Sequence, residues 1–270
     1  MHPWANPPIT GVTDDFSSHA VNLDINLFRE KLNNLTMVLQ DVLSTHPYSF
    51  RSGRWGMNEA MMRVLRDSGY RVDSSVRPFY NDTAFNYQTA KTYPYFPSFE
   101  NILMHDEEQK DILEIPSSSG FNRAQFELLN KFFQLVAQVP KAERLVIGSL
   151  NKTGLVSKIT VTPEAESAKD VIKCMDMIIA RGERVINLFF HSSNLLPGAT
   201  PYVRTEKDRE QLLSTVAQCV DHAREKYNAR FVTMREADMI LRQPVQTKTC
   251  LLYTSPSPRD ATLSRMPSSA

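Results

Sequence analysis

Two stretches carry side chains whose types and spacing can do chemistry. The first is Phe50-Arg51-Ser52-Gly53-Arg54-Trp55-Gly56. Arginine at a strand end can orient a carboxylate or bind an anion through its planar fork of donors. It can equally be a surface cation paired with Asp or Glu. Gly53 and Gly56 let the backbone turn sharply and leave donors exposed. The second stretch is Val185-Ile186-Asn187-Leu188-Phe189-Phe190-His191, an apolar run that ends in a histidine. A histidine titrates near neutrality, which suits it to general-acid work; a hydrogen-bonded structural histidine fits the spacing as well. Glu114, in Leu113-Glu114-Ile115-Pro116, is either an inward functional carboxylate or an outward one. His2 is a lone histidine whose position alone implies no chemistry. Asp14-Asp15 reads as a cap or a solvated turn. His19, His46, His105 and His222 have no partner at a useful spacing and read as solvated.

The elements that must position these groups follow from period and punctuation. Tyr48 and Phe50 alternate with polar neighbours, as a half-buried strand does. Met57 to Asp67 is helical, Gly69 sits where a helix end takes a left-handed residue, and Asp73 to Val76 is a strand. This is one βαβ unit, and α/β folds place chemistry in the loop after a strand's C-terminal end. A helix over 22–45 precedes it. Residues 78–109 form a long aromatic segment with Phe79, Tyr80, Phe85, Tyr87, Tyr93, Tyr95, Phe96 and Phe99. It either walls a groove for a sugar or packs its own loop onto the domain.

Downstream, 111–116 reads as a strand, 117–120 as a loop and 122–139 as an amphipathic helix. Residues 144–150 and 157–161 are β-like. Thr162-Pro163 opens a helix with Glu164 and Glu166 in its first turn. The run 185–191 is a strand buried on both faces. Thr205-x-x-Asp208 caps a long helix to Tyr227; 229–233 is a last strand and 235–241 a last helix. The alternation argues for a parallel α/β sheet or barrel, and about six strands are too few for a complete eightfold barrel. Incomplete barrel and open sheet stay open at this point.

Composition narrows the function classes. The chain has 270 residues, 41% hydrophobic and 23% charged, with net charge +1. That is ordinary globular composition. The charge balance favours neither nucleic acid nor an anionic membrane, and no apolar run has transmembrane length. Cys174, Cys219 and Cys250 lie far apart, with no metal or disulfide spacing.

Arg51-x-Gly53-x-Trp55, followed by Asp73-Ser74-Ser75-Val76, resembles the arginine motif of the polysaccharide deacetylase (NodB homology) group, carbohydrate esterase family 4. Phe189-Phe190-His191 is similar to its last motif, Leu-x-His, with Phe in place of Leu. His2-Pro3 resembles the end of its metal motif, whose earlier histidine and aspartates would precede Met1. The resemblance covers roughly residues 1–242. It implies an α/β fold, an incomplete distorted (β/α)7 barrel over residues 1–245 lacking the first strands. The tail 246–270 resembles translated adapter sequence and is expected to be disordered.

The implied activity is metal-dependent hydrolysis of a C–N (amide) bond, as in N-deacetylation of an acetylated glycan. By the resemblance, His191 protonates the leaving amine, Arg51 holds the base aspartate and Trp55 shapes the acetate pocket. Arg54 and Glu114 contribute to substrate binding, Glu114 from the strand where members keep a carboxylate that tunes the histidine. His2 is the metal ligand retained here. The implied cofactor is a divalent, zinc-type ion whose site is incomplete, because the base, the metal aspartate and one histidine are missing. Gly53 stands where many members have proline, which loosens the loop. Implied partners are a glycan or a small amide, with no nucleic acid and no membrane span. A hydrolase of a cyclic amide or ureide is a sibling reading. A non-catalytic glycan-binding or assembly protein is the rival.

Overall fold

Asp24 starts the first helix, α1 (Ile25–Leu43), by accepting from the backbone N–H groups of Asn26 and Leu27. Asn58 caps α2 (Glu59–Asp67) in the same way through Met61 N–H. Each satisfies donors that a helix start leaves without partners. Phe28 and Leu32 of α1 and Met61, Met62 and Leu65 of α2 are buried in one cluster. Gly69, at φ 83°, takes the left-handed turn out of α2. The computed structural model describes residues 1–9, 11, 14–139, 143–243 and 251–254.

Three parallel strands flank α2: β1 (Ser49–Phe50), β2 (Val72–Asp73) and β3 (Leu113–Glu114), in that order. Their register sets Phe50 beside Asp73 and Asp73 beside Glu114. β4 (Ser119–Phe121) pairs antiparallel with β5 (Lys158–Thr160). Then α3 (Phe126–Ala137), α4 (Gly148–Thr153) and α5 (Ala168–Ala180) lead to β6 (Val185–Leu188). After it come α6 (Glu206–Tyr227), β7 (Arg230–Val232), α7 (Met234–Leu241) and β8 (Leu251–Thr254). β8 lies between β6 and β7 and runs parallel to both.

The sheets are stitched into one wall. The Val161 N–H donates to Ser118 O at 2.9 Å, and the Phe189 N–H donates to Val161 O at 3.4 Å. Val72, Leu113, Ile115, Val185 and Val232 then share one buried cluster, so β1–β3 and β6–β7 enclose a common interior. Tyr48 Oη donates to the buried Asp238 at 2.6 Å, and Arg242 closes on the same carboxylate at 2.7 Å. That pins the last helix to the lead into β1. The fold is mixed α/β, with seven α-helices and no closed barrel among the described residues.

Several expectations are corrected. Residues 144–150 are helical: a π turn, Glu143–Ile147, runs into α4. A short apolar run carries no period that separates helix from strand, and Leu145 is 70% exposed, with no sheet to join. Ser119 and Gly120 belong to a strand rather than a loop. The helix after β5 begins at Ser167, which caps it through Asp170 N–H, so Glu164 and Glu166 lie in the loop before it. Thr162-Pro163 mimics a helix start locally. Leu251–Thr254, expected to be disordered, forms β8, an apolar run that fills a ladder between two strands; the remainder of the tail lies outside the described residues. In the aromatic segment Phe79, Tyr87 and Tyr95 are buried and pack the loop, while Tyr93 is exposed.

Candidate functional site

The loop after β1 delivers Arg51. Its Nε donates to Ser74 O at 2.9 Å, and its Nη2 donates to Ser74 Oγ at 2.7 Å and Asn187 Oδ1 at 3.3 Å. Asn187 is fully buried in β6, and its Nδ2 donates to Ser74 Oγ, Ile115 O and Pro116 O. This polar knot joins the ends of β1, β2, β3 and β6. The Arg51 guanidinium lies 5.4 Å from the Trp55 ring and 5.0 Å from the Phe189 ring, and these two rings meet edge to face at 5.0 Å. Such cation–π geometry helps to fix a planar cation.

Trp55 has φ 66°, a left-handed conformation that a bulky residue adopts at a cost of about 1–3 kcal/mol. Tyr87 Oη, donating to Trp55 O at 2.8 Å, helps to hold it there. The indole is thereby presented across the turn toward Phe189.

The chain leaving β6 delivers His191. Its Nδ1 lies 2.7 Å from Glu164 Oε1, and its backbone N–H donates to the same oxygen at 2.5 Å. Asn194 Nδ2 donates there too, also at 2.5 Å. Glu164 is buried at 6% side-chain exposure, whereas His191 is 54% exposed. The hydrogen bond from the carboxylate raises the His191 pKa above its ordinary value and favours the imidazolium.

His2 enters from the N-terminal segment. Lys31, buried in α1, donates to Ala5 O at 2.8 Å and Pro8 O at 2.7 Å and so pins that segment. The His2 ring stacks on Trp4 at 4.3 Å and covers Gly53, where any Cβ would come within 2.3 Å of it. Desolvation lowers its pKa to about 4, so the ring is neutral.

Arg51, Trp55, Phe189, Phe190, His191, Gly53 and His2 line one cleft of about 220 Å³. Four residues singled out from sequence (His2, Arg51, Trp55 and His191) therefore meet. Set against protein-family models, curated proteins and solved structures, the chain matches none of them. What the cleft can do rests on its own geometry.

Two candidates are not in the cleft. Arg54 turns outward, donating to Asp15 Oδ1 at 2.7 Å and also to Ser18 Oγ. Glu114 is fully buried beside Asp73 in β2, away from His191. Ser75 Oγ donates to Asp73 Oδ1 at 2.7 Å, and Val76 N–H donates to Glu114 Oε1 at 3.1 Å. Burial raises both carboxyls, Glu114 well above its usual range, because its neighbour Asp73 opposes a second charge. Both carboxyls are thereby biased toward their protonated forms.

The carboxylate that touches His191 is Glu164, which the sequence reading had assigned to a helix. Asp73 and Asn187 were missed as well; the signal for Asp73 was its place opposite Glu114 in adjoining strands.

The solvated reading of two histidines is overturned. His19 is 1% exposed, and His222 Nε2 bonds Asp176 Oδ1 at 2.6 Å across α5 and α6. Burial of the first and the partner of the second are tertiary, so spacing carried no trace of either. Asp14 does cap a turn, accepting from Ser17 N–H at 2.7 Å. Among the described residues no group of three or more His, Cys, Asp or Glu side chains could hold a metal ion. His2, neutral and with Nδ1 unpartnered, is in a ligating form.

Proposed function

We propose that this chain carries the cleft of a polysaccharide deacetylase-like hydrolase, on an incomplete distorted (β/α)7 barrel. Its substrate class is the N-acetyl amide of a glycan. One observation carries the reading. Arg51, Trp55 and His191, which come from two separate motif regions, line a single cleft, with His191 biased toward its acid form by Glu164.

In amide hydrolysis a water oxygen adds to the carbonyl carbon, and the C–N bond breaks as the nitrogen takes a proton. His191 is the donor. Its Nδ1–H is committed to Glu164, which leaves the Nε2 proton to give. Trp55 and Phe189 form an apolar wall suited to an acetyl methyl group, and Arg51 holds both rings in place. No carboxylate lines the cleft among the described residues, so the water-activating base is assigned to no side chain here. The same fact favours the second reading, a glycan-binding protein that uses the cleft without turnover.

The test is acetate release from N-acetylglucosamine oligomers, with and without chelator, with His191→Ala beside the parent. Release abolished in His191→Ala supports the hydrolase. Release equal in both proteins removes His191 from the chemistry. Oligomer binding without release leaves the binding protein.

A further inference from the structure

We propose a second saccharide site, in the groove between the aromatic loop 79–93 and α3. Two adjoining pockets, of about 380 Å³ and about 260 Å³, share Gln88 and Gln134 as a common wall. They have no lining residue in common with the cleft of Arg51 and His191. The larger falls within the size range of small-molecule sites.

The chemistry of the lining selects the ligand. Carboxamides line both pockets: Asn130 in the first, Asn81 and Asn151 in the second, Gln88 and Gln134 in both. Gln134 Nε2 donates to Gln88 Oε1 at 3.0 Å, and Gln88 Nε2 donates to Asn81 Oδ1 at 2.7 Å, so the amides form a chain along the groove. A carboxamide both donates and accepts, as a sugar hydroxyl does.

Asn130 is the decisive residue. It is 4% exposed, and its Nδ2 donates to Gln88 O at 2.9 Å. That bond leaves Oδ1 as a buried acceptor with no partner. A buried acceptor without a donor is costly, and its presence calls for a group that supplies one. Tyr93, at 48% exposed, offers an aromatic face at the rim, the surface on which the C–H face of a sugar ring packs. Unpartnered acceptor, amide chain and exposed ring together fit a polyhydroxylated ligand. The two joined pockets fit more than one sugar unit.

The test is isothermal titration of the whole chain with the N-acetylglucosamine tetramer and, separately, the glucose tetramer. The measurement reads binding, so it stands whether or not the Arg51 cleft is catalytic. We expect binding of at least one tetramer, weakened tenfold or more by Tyr93→Ala and by Asn130→Leu. Tyr93 is exposed, so its variant folds even if Asn130→Leu, which also loses the bond to Gln88, does not. Absence of binding to both tetramers overturns the proposal. So does a titration that is unchanged in Tyr93→Ala.

Discussion

Glu164→Gln isolates the electrostatic work done on His191. The change keeps an oxygen acceptor of the same shape and removes the charge. Charge centres about 4 Å apart attract by about 1 kcal/mol at the dielectric constant of water, and by about 4 kcal/mol at an effective constant of 20. The His191 side chain is 54% exposed, which places this pair near the aqueous end despite the burial of Glu164. The loss of that attraction lowers the His191 pKa back toward its ordinary value.

The sign for stability follows from the same shift. The folded pKa is raised, so the pair's contribution is complete below the ordinary 6.5 and is lost as pH rises through the raised value. The variant should therefore lose most stability on the acid side of 6.5, while Glu carboxylates remain ionised. The assay is NMR titration of the His191 ring protons in both proteins. If His191 is the proton donor, the alkaline limb of acetate release moves to lower pH together with that titration. An unshifted His191 titration in Glu164→Gln would refute the reasoning, whatever the activity does.

Three further outcomes follow from packing and burial. Gly120→Ala would set a Cβ 2.3 Å from the ring of the fully buried Phe126, so denaturant unfolding should show a loss of about 1–3 kcal/mol; an unchanged midpoint would contradict that packing. Gly53→Ala should push the His2 ring off the turn, and its pKa, now about 4, should climb toward 6.5 in an NMR titration as desolvation is relieved. The raised carboxyls of Asp73 and Glu114 make the folded state hold a proton that the unfolded chain releases, so stability should fall as pH rises above about 4.5. Glu114→Gln has no carboxyl proton to lose and should flatten that decline; melting curves with the same pH slope in both proteins would count against the raised Glu114 pKa.

Much of the local architecture is legible in the sequence because it is written in short-range bonds. The capping box of Thr205 and Asp208 and the left-handed Gly69 involve residues a turn apart, and each is seen where its pattern puts it. The arginine turn and the apolar run into His191 are likewise visible as strand ends with reactive side chains. Misreadings fall where local pattern is ambiguous, as at 144–150, or mimics a start signal, as at Thr162-Pro163. That second error hid Glu164, since a glutamate in a first helical turn has a sufficient local explanation.

What tertiary structure decided is which strand ends adjoin. Sheet order brings Ser118 and Asn187 together, and with them Arg51, Ser74 and the loop of Glu164 beneath His191. Parallel register sets Asp73 against Glu114, and burial there raises the pKa of two ordinary acids. The reason is range: caps and periodicity depend on neighbours along the chain, whereas hydrogen-bond partners, burial and pKa depend on neighbours in space, and these exist only once the apolar faces of distant strands have chosen one another.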